Sequence, residues 1–199
     1  MIKKSDLRNW ANDLKPVLFD INIAMSNLYI LKHSNADKFR INHHDVYLNL
    51  WYQQNFILIT QLAKLFSDSK NQKRNIIKLC RQYKSEPLDV GIKKLLLENE
   101  AKATDVYKSR QEIIDFVNEV LPEIESNQST IEKIIDLRDK VFAHTDPNPK
   151  EHIIGIEKLK NLCILANKMY NGLFGKVFDE YDHFQITEKH DLRSIIENC

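Results

Sequence analysis

The chain has 199 residues, 43% hydrophobic and 29% charged, with four glycines, five prolines and a formal charge of +1. That length suits one domain with its own core and no staples; so few turn residues exclude a hairpin-rich β fold, and near-neutrality excludes a long-range pull on polyanions. No run approaches the roughly 18 apolar residues of a membrane span. Cys80, Cys163 and Cys199 are odd in number and have no secretory leader before them, which fits buried, reduced thiols in a cytoplasm.

Apolar residues recur at helical spacing from one end to the other. A first helix is predicted from Ser5 or Asp6, either able to act as N-cap, to about Leu31, with Pro16 kinking or splitting it. Lys32 to Asn42 reads as a polar loop. Asp45 to Phe66 is the most apolar stretch; it is apolar on more than one face, which places it at the centre of the bundle with Trp51 and Phe56 as core residues. Asn71 to Tyr83 is predicted as a short amphipathic helix, Ile76, Cys80 and Tyr83 facing inward and Arg74, Lys78 and Arg81 forming a basic stripe.

Residues 88 to 121 read as a long helix or a helical pair interrupted near Gly91, after which Pro122 stops or kinks the chain. Following a break at Ser126 to Thr130, with Ser129 or Thr130 as cap, the next helix turns Ile131, Ile134, Ile135, Leu137, Val141 and Phe142 inward. It ends at His144, because Pro147 and Pro149 restrict the residues before them. A closing helix spans about Glu151 to Phe178, and Asp191 to Glu197 form a short extra one. The fold class expected is all-α: a single-domain bundle of long antiparallel helices over residues 1–199, with 180–199 as a peripheral tail.

The chemistry concentrates in Leu137-Arg138-Asp139-Lys140-Val141-Phe142-Ala143-His144-Thr145-Asp146. A guanidinium holds a phosphate with a planar fork of donors, and histidine moves protons near neutral pH, so Arg138 and His144 point to phosphodiester chemistry. An arginine, a polar residue and a histidine after a short spacer form the signature of the HEPN superfamily. This run, with Lys140, Phe142-Ala143 and Asp146 flanking it, resembles the abortive-infection branch, and the helix pattern extends the resemblance over most of the chain.

The resemblance implies a metal-independent endoribonuclease toxin of a defence or toxin–antitoxin system, without cofactor, in which two protomers pair through their motif helices and RNA enters between them. His144 would be the acid/base, Arg138 the oxyanion partner and Asp139 an orienting group, although relatives often carry asparagine there. Some relatives are silenced by a partner nucleotidyltransferase that modifies a tyrosine two residues after the histidine; Asp146 stands there in this chain, which argues against that route though not against another antitoxin. Independently, at about 100° per residue Arg138 and His144 lie about 120° apart around a straight helix. They do not share a face, which favours a frayed helix end or a composite site at a two-fold axis.

Arg74, Lys78 and Arg81, with Lys140, are the candidate RNA-backbone contacts. No metal site is expected, since His43-His44-Asp45, His152 with Glu157, and Asp179-Glu180-Asp182-His183 all lack zinc spacing. The alternative function is a catalytically inactive helical dimer that binds a nucleotide or a protein partner.

Overall fold

The apolar periodicity becomes helix almost everywhere in the computed structural model, which describes residues 1–33, 36–68, 75–142 and 154–184 together with Leu192 and Ile196. The order is α1 (Lys4–His33), α2 (Ala36–Asn42), α3 (His44–Phe66), α4 (Ile76–Ser85), α5 (Val90–Asn99), α6 (Arg110–Ser126) and α7 (Gln128–Asp136). A π-helical turn, Leu137–Phe142, extends α7; then comes α8 (Ile156–Tyr170), which runs through a second π turn, Asn171–Gly175, to Lys176–Phe178. Among the described residues no strand forms, and Ile2 and Leu88 make an isolated parallel bridge. None of the helices searched is long and apolar enough to cross a membrane.

Three long elements make the frame. Asp20 meets Gln61, Asn27 meets Gln54, and Tyr47 donates to the Leu31 carbonyl, so α3 runs antiparallel to α1. On the other side Tyr170 donates to the Ala11 carbonyl, Asn22 and Asn167 exchange two amide hydrogen bonds (2.9 and 2.8 Å), and Lys160 sits over the Tyr29 ring, so α8 is antiparallel to α1 as well. The all-α bundle of long antiparallel helices is the fold found.

Local expectations were corrected by packing. α1 passes through Pro16 unbroken, because Leu7 and Leu14 before it and Leu18, Ile21, Met25 and Leu28 after it share one buried face. That burial outweighs the roughly 3 kcal/mol an interior proline costs. The helix also needs no cap of its own: the Lys4 N–H donates to the Asp89 carboxylate, 85 residues away. The expected polar loop at 32–42 contains α2, held by Phe39, which is buried with Ile30, Leu31 and Ile196.

The break in 88–121 falls at residues 100–109, not at Gly91, which lies inside α5. A capping box of Ser109 and Glu112 starts α6, which continues past Pro122 to Ser126. Asn127 alone separates α6 from α7, so neither Ser129 nor Thr130 is the cap. α4 forms as predicted, with Ile76, Cys80 and Tyr83 buried, although it begins after Asn75.

Candidate functional site

α7 forms because Ile131 and Ile134 bury against the core while Ile135 and Leu137 pack at its edge. Beyond Asp136 the ladder widens into the π turn that carries Arg138 and Asp139. Such turns are single-turn insertions in helices, frequent at functional sites, and an added residue rotates the downstream face by about 100° relative to a regular helix. The angle expected between Arg138 and His144 cannot be read on this turn, which ends at Phe142. His144 itself, like Asp146 and His152, lies outside the described residues.

On the turn, the Arg138 Nε donates to Oδ1 of Asp139 at 2.7 Å, the arginine three-quarters covered and the aspartate more than half exposed. Lys140 Nζ donates to Asp136 Oδ2 at 3.2 Å across one helical turn. The four charged residues of the turn and its approach thus alternate in sign and sum to zero: Asp136, Arg138, Asp139, Lys140. Structure brings together three of the predicted residues, Arg138, Asp139 and Lys140.

The basic stripe is elsewhere. α4 packs on α3 and α6, whereas the motif turn packs on α7 and α3. Arg81 is bound by Asp68 at 2.6 Å, Lys78 is half-buried, and Arg74 lies outside the described residues. Two cysteines are packed among apolar side chains: burial pushes the Cys80 thiol up to about 12 and the Cys163 thiol higher still. Neither is a nucleophile near neutral pH. Among the described residues, no three His, Cys, Asp or Glu side chains gather in a way that could hold a metal ion.

Beside the motif is a feature the sequence did not reveal. A groove of about 500 Å³ runs between α3 and the start of the π turn, lined by Leu48, Trp51, Tyr52, Asn55, Ile59, Leu137, Ile154 and Leu159. Leu137 joins the groove directly to Arg138. The expectation that α3 is central holds only for its second half, where Leu58, Ile59, Leu62, Leu65 and Phe66 are buried. In the first half Trp51 is only partly buried and Phe56 is 39% exposed, so Phe56 is not the core residue expected. Periodicity could not separate the two halves, since the apolar pattern is the same along both.

In comparisons with known proteins, no family model, no curated protein and no solved structure matches the chain.

Proposed function

We propose that this chain is a HEPN-type, metal-independent endoribonuclease toxin of an abortive-infection or toxin–antitoxin defence system, acting on RNA in the cytoplasm as a homodimer. A small cognate antitoxin, a nucleotidyltransferase or another protein, would be its partner. The observation that carries this reading is the motif, Arg138-Asp139 with His144 five residues further along, closing an apolar helix. An all-α bundle and the position of Arg138 on a π turn beside an open groove support it.

In this reading His144 takes the proton from a ribose 2′-hydroxyl, the oxygen attacks the adjacent phosphorus, and the 5′-oxygen leaves. Arg138 stabilises the charge growing on the phosphate oxygens. Asp139 holds the guanidinium through Nε, leaving its two terminal nitrogens to face the phosphate. Cleavage then leaves a 2′,3′-cyclic phosphate, persists in EDTA, and fails on RNA with a deoxyribose at the cut site. His144→Ala and Arg138→Ala are each expected to slow cleavage at least about a hundredfold, with helical content unchanged. Asp139→Asn should cost less. Activity that survives His144→Ala overturns the reading.

One observation favours the alternative, a catalytically inactive dimer that binds a nucleotide or a protein. Arg138 and Lys140 are both neutralised by adjacent acids, which weakens their hold on a polyanion. Overexpression separates the two readings: an active toxin arrests growth unless His144 is changed, and a binding module is harmless either way.

A further inference from the structure

α5 is held to the bundle by Ile92 and Leu96, both buried, so its opposite side faces outward. Along the middle of that outer side stand Val90 and Leu97, 81% and 63% exposed. Seven residues apart, they lie within about 20° of each other around the helix. Lys93 and Lys94, between them in sequence and both exposed, fall to either side of that line. A surface helix ordinarily places its charges at the middle of the outer face; here the middle is apolar and the charges flank it. Apolar residues exposed singly need no explanation, but two in line between ammonium groups do.

The lysines continue beyond the helix. Ile2 bridges to Leu88 and the Lys4 N–H donates to Asp89, so the start of α1 lies against the start of α5. A Cβ on Gly91 would stand 3.3 Å from the Cβ of Lys4, which puts that side chain directly beside the α5 backbone. Lys3 and Lys4 are both exposed. One end of a chain with a formal charge of only +1 therefore gathers four lysines. The acids close by are turned elsewhere: the Asp89 carboxylate faces the N–H groups of Lys4 and Ile92, and Glu98 lies at the edge of the face, 3.9 Å from Lys94 Nζ.

The combination selects what can cover it. An RNA backbone would use the lysines but gain nothing from an apolar line, and the buried centre of a protein interface is depleted of lysine. A lipid leaflet of negative charge uses both: apolar tips enter the boundary below the head groups, while long lysine stems carry their ammonium groups back up to the phosphates and carboxylates. We propose that the outer face of α5, with Lys3 and Lys4 beside it, docks reversibly on an anionic lipid surface. The contact is peripheral, because the other face of this ten-residue helix belongs to the core. It is independent of the ribonuclease reading and of the dimer.

The test is sedimentation of the full chain with vesicles. The wild type should sediment with phosphatidylcholine vesicles that contain phosphatidylserine, should stay in solution with pure phosphatidylcholine, and should be released by added salt. Lys93→Gln with Lys94→Gln should weaken binding roughly 25-fold, at about fivefold per lysine. Val90→Ser with Leu97→Ser should weaken it at least about tenfold with every charge retained. All four positions are exposed, so the circular dichroism spectrum of each variant should match the wild type. Lys133→Gln with Lys158→Gln, the same loss of charge at exposed positions of α7 and α8, should bind as the wild type does. A wild type that ignores the anionic vesicles overturns the proposal. So does binding that survives the serine pair, which would make the face a site for polyanions in general.

Discussion

At the scale of single residues, close approach and satisfied donors explain positions that composition leaves anonymous. A Cβ on Gly172 would stand 2.0 Å from the Phe116 ring, so the glycine in the second π turn is the hole into which α6 inserts an aromatic side chain. Gly172→Ala should cost about 1–3 kcal/mol by overpacking, measured by denaturant unfolding. Combined with Phe116→Ala, its cost should largely vanish, and a coupling near zero in that cycle would show that the ring is not what the glycine accommodates. Arg110 is similarly placed: its guanidinium donates to the carbonyls of Tyr83, Lys84 and Glu86, closing the C-terminal end of α4 from the first residue of α6. Nothing in the local sequence of either helix signals that bond.

At the scale of elements, the ends of helices are tied across the chain. Asp89 caps α5 through Oδ1, which accepts from the Ile92 N–H at 2.8 Å, and α1 through Oδ2, which accepts from the Lys4 N–H at 3.0 Å. Desolvation pushes the Asp89 carboxyl up, but the backbone N–H groups of Ile92, Lys4 and Gly91 outweigh it and hold the group below its ordinary value. A folded-state value below the unfolded one means that the unfolded chain binds more protons on acidification. The stability from this group is therefore present above the unfolded value, about 3.9, and is lost as pH falls through the lower folded one. The melting temperature should fall as the pH is taken below about 4, and Asp89→Asn should flatten this group's share of the slope. An unchanged slope in the variant would show that the double cap does not titrate with folding.

At the scale of the whole molecule, α1 is the common strut: it runs antiparallel to both α3 and α8, and alongside the Asp20–Gln61 contact and Lys160 over the Tyr29 ring the struts are joined by amide pairs and tyrosine hydroxyls. Satisfied neutral pairs of this kind fix the relative position of helices without the desolvation penalty of an ion pair. In the homodimer of the proposed function, stability would depend on protein concentration. Anything that binds only the folded chain stabilises it by mass action. The wild-type melting temperature should therefore rise with protein concentration. A concentration-independent wild type would count against the homodimer.

The helical class, the buried face of α4 and the approximate course of α1, α3 and the closing helix were legible in the sequence, because apolar periodicity is a local property that each segment carries with it. The motif residues were legible for the same reason, as neighbours along one stretch of chain. Tertiary structure decided the rest. Proline at position 16 is tolerated because both sides of it bury one face, and the short α2 exists because Phe39 reaches a cluster formed by Ile30, Leu31 and Ile196. The π turn that carries Arg138, and the division of α3 into a covered and an uncovered half, depend on which elements lie opposite, and a periodic pattern records only that a face is apolar, not what stands against it.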